Sequence, residues 1–294
     1  MKVDMECLIC LLERGVRAVE CLSPENPDKH LEVSKKILRL LLKEFNLNQV
    51  PAWIGTKREK IIQRVLNNKD PYRELKRKSN EIAKQLWEEL KSNIDLSNRD
   101  FNTFRKMMLN AAAANAVEWF IRGHDFSLDA FKREFQNIEE RVAIDETKEL
   151  WKDIQEAKSL LYVLDNSGEA VIDLHVVRYL SNFVDEIYVG ARERPIINDI
   201  TVDEAYELGF GDIAKEIVPV GWFIGIFLDR EGVTANFLRI FKRVDVVIAK
   251  GMGAYESLSE YTFDKPVYIV LKAKCAPVAR HLNVPHGWYV IKRM

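Results

Sequence analysis

The sequence predicts an α/β protein in which an N-terminal helical bundle packs on a Rossmann-like, mostly parallel, doubly wound α/β domain. The first roughly 145 residues place apolar side chains at the helical period, and no β-rich run interrupts them. From about Lys158 onward, short β-branched runs alternate with helical stretches. Strand, helix and strand at this spacing indicate right-handed crossovers and a parallel sheet. We therefore expect a helical domain over residues 1–150 and an α/β domain over residues 151–294.

Four segments of the first half have the apolar period of a helix. They cover residues 7–21, 31–45, 71–90 and 101–121. Pro71 suits the first turn of the third segment, because proline is common at helix starts. The alanines at 111–114 give the fourth segment a low-bulk face that another element can approach closely.

Five short apolar runs of the second half predict strands, at residues 160–164, 186–189, 244–248, 267–271 and 288–291. Several are apolar at nearly every position, as strands buried on both faces must be. Helices are predicted between them at residues 170–180, 202–208 and 235–241. Ligands of such sheets bind outside the carboxyl ends of the strands. The functional residues should therefore follow the runs.

Composition and charge exclude several classes of protein. Apolar residues make up 47% of the 294 residues and charged residues 30%, which is typical of a globular chain. The 44 basic residues nearly balance the 45 acidic ones, so no global field attracts nucleic acid or membrane. The longest uncharged apolar run, residues 217–228, is shorter than the roughly 20 residues of a spanning helix. With no signal-peptide cleavage site, we expect a cytoplasmic protein with neither nucleic acid nor membrane as partner.

Five small or polar residues, Asp165-Asn166-Ser167-Gly168-Glu169, follow the first run. In a purely structural interpretation, Ser167 caps the next helix and Glu169 lies in its first turn. That interpretation explains the adjacent Asp165 and Asn166 poorly, because one turn residue would suffice. A carboxylate and an amide carbonyl are oxygen ligands for Mg²⁺ or Mn²⁺, and the helix start would supply amides for an anion. The motif alone leaves both interpretations open.

A second polar pair, Asn198 and Asp199, follows the next run. Asp199 could cap the following helix. It also lies one crossover from Asp165, at the same edge of a parallel sheet, so the two pairs could form a divalent-ion site. Arg192 and Arg194 precede the pair. We expect them to be solvated surface charges, although either could contact a phosphate.

Glycines and lysines follow the last two buried runs. Lys250, Gly251 and Gly253 come after one of them, where small residues let backbone N–H groups converge on an anion. The spacing matches neither a dinucleotide fingerprint nor a P-loop. Lys272 and Lys274 leave the other run on one face, by the two-residue period. Paired lysines there suit a phosphate lying over a metal, although a solvated strand end would also explain them.

Six motifs together resemble the DUF89 family, the damage-control phosphatases. They are Cys7-Leu8-Ile9-Cys10, Asp70-Pro71-Tyr72, Asp165-Asn166-Ser167-Gly168-Glu169, Asn198-Asp199-Ile200-Thr201, Lys250-Gly251-Met252-Gly253 and Lys274-Cys275. They extend from one end of the chain to the other, and their common order is more specific than any one of them. The CxxC start and the Lys-Cys pair are similar to the family's first subfamily, found widely in archaea.

The resemblance implies a metal-dependent phosphatase with a helical domain against a Rossmann-like domain. The family's metal ligands fall on Asp165, Asn166 and Asp199, and its phosphate-site lysine falls on Lys272 or Lys274. The substrate would be a small phosphorylated metabolite such as a sugar phosphate or a damaged nucleotide or cofactor. Because the donors are all oxygens, Mg²⁺ or Mn²⁺ should suit the site, and Co²⁺ or Ni²⁺ can occupy it when supplied.

The residues expected to contact the substrate are Glu169, Asn115, Lys250, Gly251 and Gly253. Two departures from the family pattern lie near this set. The family often has Gly-Asn followed by Asp-Phe, whereas here Ala114-Asn115 is followed by Glu118-Trp119. The family's Gly-x-Gly-Asn motif has Ala254 in place of its asparagine. Both departures affect the substrate pocket more than the metal site.

Two enzyme classes compete. The leading hypothesis is phosphomonoester hydrolysis by metal-activated water, with Asp165 and Lys272 or Lys274 as the catalytic residues. Nucleophilic attack by Asp165 is less well supported, because the Asp-x-Asp signature is absent. The alternative is an S-adenosylmethionine-dependent carboxyl methyltransferase. It requires a glycine-rich first turn, where this chain has only Gly168.

The four cysteines indicate no disulfide framework in a chain of this length. Cys7 and Cys10 lie about one helical turn apart and supply half of a tetrahedral zinc site. Residues that could complete it are His281, His286, Cys21 and Cys275. Buried small side chains or a disulfide explain the pair better than structural zinc. A non-catalytic zinc or nucleic-acid module is disfavoured by the near-zero net charge. His124 and His175 are expected at the surface or in caps.

Overall fold

A computed structural model describes residues 1–116, 127–136 and 138–294. The predicted contrast at Glu118 and Trp119 lies outside the described residues, as do His124 and the end of the helix predicted over residues 101–121.

The centre of the described structure is a seven-stranded sheet. Its strands are β1 (Val142–Asp145), β2 (Ser159–Val163), β3 (Glu186–Ala191), β4 (Glu216–Pro219), β5 (Val246–Lys250), β6 (Val267–Lys272) and β7 (Tyr289–Arg293). They lie in the order β1-β7-β6-β5-β2-β3-β4. Strands β2 to β6 pair in parallel, whereas β7 is antiparallel to β6 and parallel to β1. The predicted α/β fold with a mostly parallel sheet is confirmed.

All five predicted strands form, as β2, β3, β5, β6 and β7. Two further strands were not predicted. β1 has only four residues and none of them is fully buried, so its apolar signal is weak. It precedes the expected domain boundary at residue 150 yet pairs with β7 in the same sheet. β4 uses only the start of the apolar run at residues 217–228, because the chain leaves the sheet after Pro219.

The described helices are α1 (Met5–Leu22), α2 (Pro27–Glu44), α3 (Pro51–Leu66), α4 (Arg73–Leu90), α5 (Phe101–Ala114), α6 (Leu128–Phe135), α7 (Thr147–Glu156), α8 (Glu169–Leu180), α9 (Val202–Leu208), α10 (Ala235–Arg243), α11 (Met252–Leu258) and α12 (Ala276–Leu282). Every predicted helix corresponds to one of them. Helix α3 was missed because its buried face includes Thr56, Arg58 and Glu59, which obscure the apolar period. None of the described helices has the length and apolarity needed to cross a membrane.

Buried apolar side chains form three clusters. One joins α4, α5 and α8 to one face of the sheet, a second joins α10 and α11 to the other face, and a third joins α1, α2 and α3. The alanines of α5 are fully buried, and the Lys250 Nζ of β5 reaches the carbonyl of Ala111 at 2.7 Å. The close approach predicted for this low-bulk face is confirmed.

The loops after β2 and β3 meet beyond the carboxyl edge of the sheet. An isolated bridge joins Asn166 to Asp199. The backbone N–H of Ser167 donates to the Asn198 carbonyl at 2.8 Å, and that of Ile200 donates to the Asp165 carbonyl at 2.9 Å. Because β2 and β3 are adjacent and parallel, the two polar pairs lie side by side.

Candidate active site

A cavity of about 230 Å³ lies between the carboxyl edge of the sheet and helices α1 and α3. On the sheet side it is lined by Asp165, Asn166, Asn198, Asp199, Gly253 and Lys274, which we call the sheet wall. On the helical side it is lined by Glu6, Cys7, Cys10, Leu11 and Arg14 of α1 and by Pro51, Ala52, Gly55 and Arg58 of α3, which we call the helical wall. The sheet wall thus contains the three expected metal ligands and one of the two lysines.

The amide group of Asn166 has a defined orientation. Its Nδ2 donates to Asp165 Oδ2 at 2.7 Å and to Glu169 Oε2 at 3.1 Å. The reverse orientation would place the amide oxygen against two carboxylates, with no hydrogen to share. The Oδ1 atom of Asn166 is therefore held away from Asp165 and Glu169, as a metal ligand would need to be.

Asp199 is held by Arg192. The Arg192 Nε donates to Asp199 Oδ2 at 2.7 Å, and its Nη1 donates to the carbonyl of Gly225. Arg192 is only 1% exposed, so the expectation that it is a solvated surface charge was wrong. The local sequence after β3 predicts an exposed arginine, but the loop that contains Gly225 covers Arg192. Arg194, with a side chain 71% exposed, is a surface charge as expected.

The two carboxylates lie in a setting that favours a cation. Burial raises the pKa of Asp165 well above its usual range, and the charges of Asp199 and Glu169 raise it further. Burial also raises the pKa of Asp199, although Arg192 opposes the rise. Two ionised carboxylates are therefore costly in this position without added positive charge. A divalent cation would supply that charge.

The donor atoms of the site also fit a hard divalent ion. Within residues 1–116, 127–136 and 138–294, hydrogen bonds engage Asp165 Oδ2, Asp199 Oδ2 and Asn166 Nδ2, and none engages the three Oδ1 atoms. Two carboxylate oxygens and one amide oxygen are suitable ligands for Mg²⁺ or Mn²⁺. The same part of the chain brings no three His, Cys, Asp or Glu side chains into a metal-binding cluster, so the amide is needed to complete the set.

The structure separates the two candidate lysines. Lys274 lies in the sheet wall, and its charge lowers the pKa of Asp165. Lys272 is directed away from the cavity, where its Nζ pairs with Glu134 at 2.6 Å. The expectation that both lysines share a face was wrong, because β6 ends at Lys272 and the two-residue alternation ends with it. Lys274 is thus the lysine positioned to contact a phosphate.

Lys250 and Glu169 form a buried network behind the sheet wall. Lys250 Nζ contacts Glu169 Oε1 at 2.6 Å and Asp173 Oδ1 at 2.9 Å, and all three side chains are fully buried. Burial lowers the pKa of Lys250, but the two carboxylates outweigh it and the net shift is upward. These side chains do not line the cavity, so the structure places Lys250 and Glu169 behind the ligands instead of against a substrate.

Asn115 belongs to the same network. Its Nδ2 donates to Glu169 Oε2 at 2.9 Å and to Asp165 Oδ2 at 3.2 Å, and its Oδ1 accepts the backbone N–H of Lys272 at 3.1 Å. The side chain is fully buried. Asn115 therefore connects α5, the ligand loop and the end of β6, and the substrate contact expected for it is not seen in this position.

Gly251 and Gly253 have different positions, since Gly251 lies beside Asp165 and Gly253 lines the cavity. A Cβ at Gly251 would lie 1.9 Å from Asp165 Oδ2, and the residue has φ +85°, so only glycine fits beside this ligand. Its backbone N–H donates to the Val270 carbonyl at 3.0 Å and is not available to an anion, contrary to expectation. Gly253 does line the cavity.

The start of α8 is closed to ligands. The backbone N–H of Gly168 donates to Asn80 Oδ1 at 2.6 Å, and a Cβ at Gly168 would lie 2.8 Å from the Cβ of Ser79. Helix α4 therefore covers this turn. The Gly168 N–H is thus already paired, and α4 occupies the space beside this turn where an anion or an adenosyl group was considered.

Three of the four cysteines, Cys7, Cys10 and Cys275, line the cavity, and all three are free thiols. Burial raises the pKa of Cys7 to about 11 and that of Cys275 to about 12, so both are neutral thiols at pH 7. Cys7 is buried, as the small-side-chain explanation expects, whereas Cys10 is exposed. Among the described residues, no three His, Cys, Asp or Glu side chains lie close enough together to form the zinc site that was considered for Cys7 and Cys10.

Charged residues of the cavity beyond the sheet wall were not predicted. Arg58 of α3 is buried, with its Nε 2.8 Å from Glu59 Oε1, and Glu59 Oε2 accepts the Tyr72 hydroxyl at 2.5 Å. Burial raises the pKa of Glu256, on α11, to about 7. A charged residue on a mostly apolar helical face was the available signal for Asp173, whereas the polar neighbours of Arg58 obscured it. Glu256 had no comparable signal.

His175 has a packing role. Its ring stacks on Trp87 with the centroids 4.0 Å apart and the planes 8° apart. Burial lowers its pKa to about 4, so the ring is neutral at pH 7. His175 therefore joins α8 to α4 and takes no part in the site.

Fold and site together define an α/β protein with a carboxylate–amide site at the carboxyl edge of a mostly parallel sheet. A family model described as the damage-control phosphatase ARMT1-like domain matches residues 3–290. The chain belongs to this family, as the sequence motifs had predicted.

Two relatives and one solved structure are similar to this chain over nearly its full length. The damage-control phosphatase PH1575 of Pyrococcus horikoshii is 34% identical over 297 residues, covering 100% of this chain and 98% of that protein. An uncharacterized protein of Methanocaldococcus jannaschii, MJ0202, is 32% identical over 293 residues, covering 98% of this chain and 94% of that protein. The crystal structure of the DUF89 family protein from P. horikoshii matches with a TM-score of 0.87 and 31% identity, covering 100% of this chain and 99% of that one.

Proposed function

We propose that this chain is a metal-dependent phosphatase that hydrolyses small phosphorylated metabolites in metabolite damage control. A divalent cation, Mn²⁺, Co²⁺, Ni²⁺ or Mg²⁺, would be held by the Oδ1 atoms of Asp165, Asn166 and Asp199. The proposal rests on one observation, namely that two buried carboxylates and an oriented amide line the same cavity as Lys274. Two relatives named damage-control phosphatases, from Pyrococcus horikoshii and Archaeoglobus fulgidus, support the reaction class.

When bound, the cation supplies Lewis acidity toward a phosphoryl oxygen and makes water a better nucleophile. The side chains of the protein do the rest. Lys274 would offset the negative charge that is spread over the phosphoryl oxygens in the transition state. Arg192 and Glu169 keep Asp199 and Asn166 in their ligand positions. Burial of the sheet wall strengthens each of these charge interactions.

The size of the cavity limits the substrate. A space of about 230 Å³ is at the lower end for ligand sites and suits a small metabolite better than a macromolecule. The phosphate would lie against the sheet wall. The remainder of the substrate would then contact the helical wall, where arginine, thiol and apolar side chains alternate.

The test begins with chelation of the purified protein and assay against a panel of phosphate esters. Activity should disappear, and Mn²⁺, Co²⁺, Ni²⁺ or Mg²⁺ should restore it. Calorimetry should show Mn²⁺ binding that Asp165→Ala and Asp199→Ala abolish and that Asp203→Ala, an exposed control on α9, retains. Full activity without metal would overturn metal dependence. Binding of S-adenosylmethionine in place of metal would favour the methyltransferase.

A further inference from the structure

The outward face of α2 carries a row of exposed leucines. Leu31, Leu38 and Leu42 are separated by seven and four residues, so they lie on one side of the helix. The neighbouring side of the helix packs into the protein through Val33, Ile37 and Leu41. Leu42 is 88% exposed, the largest value among the exposed large apolar side chains of the described residues. Helix α2 is therefore apolar on two faces, and only one of them is covered by this chain.

The exposure is concentrated in one part of the molecule. Seven large apolar side chains are exposed in the described part of the chain, and six of them lie in α1, in α2 or just after α2. They are Met5, Ile9, Leu31, Leu38, Leu42 and Leu47. Single exposed leucines need no explanation, but a row on one helix marks an interaction surface.

The charges beside the leucine row are ordered along the helix. Asp28 and Glu32 lie in its first half, and Arg39 and Lys43 in its second half. All four are exposed, and the helical period places them on the same flank of the row. Only Glu32 has a partner on its own helix, an exposed pair with Lys36 at 2.6 Å that contributes little.

This order makes α2 complementary to itself. If two copies of α2 pack antiparallel, Asp28 faces Lys43 and Glu32 faces Arg39 of the other copy. The same register brings Leu31 near Leu42 and places a twofold axis near residue 36. Parallel packing would instead set this charged flank against the opposite flank of the other copy, away from its complementary charges. Lys35 lies nearest the axis, where its aliphatic part can cover leucine while the ammonium group reaches water.

We propose that α2 is the contact surface of a homodimer in which two copies of the helix pack antiparallel about a twofold axis. Each leucine row covers the other, and the flanking charges pair twice because the interface is isologous. A different protein would need its own complementary charge order, and a lipid surface would gain nothing from Asp28 and Glu32. Charge complementarity therefore favours a second copy of this chain.

The test measures the mass of the full chain by analytical ultracentrifugation. The wild-type chain should associate reversibly to twice its 34.1 kDa. Leu38→Glu combined with Leu42→Glu should weaken dimerisation more than tenfold. Tyr206→Glu, which changes an exposed apolar side chain on α9, should leave it unchanged. A wild-type chain that stays monomeric at all concentrations would overturn the proposal, as would a dimer that the leucine variant does not weaken.

Charge exchange tests the antiparallel arrangement. Asp28→Lys with Glu32→Lys should weaken the dimer, as should Arg39→Glu with Lys43→Glu, and all four changes together should restore it. Failure of the fourfold variant to recover, when each double variant still melts and hydrolyses like the wild type, would exclude antiparallel pairing. Melting curves recorded at concentrations where the wild type is monomeric, together with hydrolysis, confirm that each variant is folded. No residue of α2 lines the cavity.

Discussion

The two walls of the cavity are built in different ways. Side chains of the sheet wall are held by buried hydrogen bonds to one another and to a second layer that contains Glu169, Arg192 and Asn115. The helical wall belongs to α1 and α3, most of whose buried apolar side chains form a cluster of their own, although Ala52 of α3 packs into a cluster of the sheet. It is attached through polar contacts such as the 2.9 Å bond from the Ile224 N–H to Thr56 Oγ1 and the 2.9 Å bond from Gln63 Nε2 to the Pro195 carbonyl.

The different construction of the two walls suits them to different tasks: the sheet wall to the reaction and the helical wall to the choice among substrates. A site that binds a cation and a phosphoryl group must hold its ligands within a fraction of an ångström, and buried networks provide that precision. A wall that contacts the variable part of a substrate has no such requirement. We expect substitutions in the sheet wall to affect hydrolysis of every substrate, and those in the helical wall to affect the choice among substrates.

The largest expected effect comes from Asp165→Asn. Hydrolysis should fall below detection because the variant loses an ionic ligand, whereas the metal-free variant should melt at a higher temperature than the metal-free wild type. Burial, Asp199 and Glu169 raise the pKa of Asp165, so its ionised form destabilises the folded state at pH 7. Calorimetric melting and activity assays measure both. Activity near the wild-type level would remove Asp165 from the mechanism.

Lys274→Ala comes next, and Lys272→Ala is its matched control. Loss of Lys274 should lower kcat by roughly 10²- to 10³-fold, as for removal of one charge-stabilising donor. Metal affinity should change little. Lys272→Ala should leave kcat close to that of the wild type because Lys272 pairs with Glu134 outside the cavity. Equal losses of kcat in the two variants would contradict the assignment.

Glu169→Gln should have an intermediate effect on Mn²⁺ affinity, because Glu169 acts through its contact with Asn166. A glutamine amide cannot accept from Asn166 and Lys250 as the carboxylate does, so the orientation of Asn166 is lost. Mn²⁺ affinity should weaken by roughly 10- to 100-fold, the usual result of removing an outer-shell partner. Isothermal titration measures it, with the exposed Glu207→Gln as control. Unchanged affinity with reduced kcat would instead indicate direct contact with the substrate.

The Lys272–Glu134 pair should contribute to stability in a pH-dependent way. Burial raises the pKa of Glu134, but Lys272 and Tyr289 lower it more, and the net shift is downward. The stabilisation, of about 1 kcal/mol, is therefore complete above the usual glutamate pKa and is lost as the pH falls through the lowered value. Urea unfolding at pH 7 and pH 3 should show a smaller decrease for Glu134→Gln than for the wild type. An equal decrease would show that the pair does not stabilise the fold.

The smallest expected effect is that of Cys10→Ser in the helical wall. Cys10 is exposed and lines the cavity from α1, a helix that holds none of the proposed metal ligands. Its replacement should change kcat by less than about twofold, within the range of ordinary surface substitutions. KM should change for some esters of the panel and not for others. A large loss of kcat for every ester would contradict the separation of the two walls.

The sequence carried enough local information to predict which polar residues meet at the edge of the sheet. Asp165 and Asn166 end a strand buried on both faces, and Asp199 follows the neighbouring strand. In parallel strands the carboxyl ends share an edge, so order along the chain predicts proximity in space. Apolar runs predicted five of the strands, and resemblance to six motifs predicted the family. Apolar periodicity and strand-end position therefore determined the fold class and the ligand loops.

The tertiary structure alone decided which charges support these ligands. Arg192 is buried because a loop more than twenty residues further along the chain covers it, and Lys272 leaves the site because β6 ends there. Glu169 and Lys250 turn behind the ligands because α5 approaches closely enough to bring Asn115 and the Ala111 carbonyl against them. The partner of a charge depends on long-range packing, which local sequence does not encode. The sequence thus determined that a polar edge exists, and packing determined the role of each residue in it.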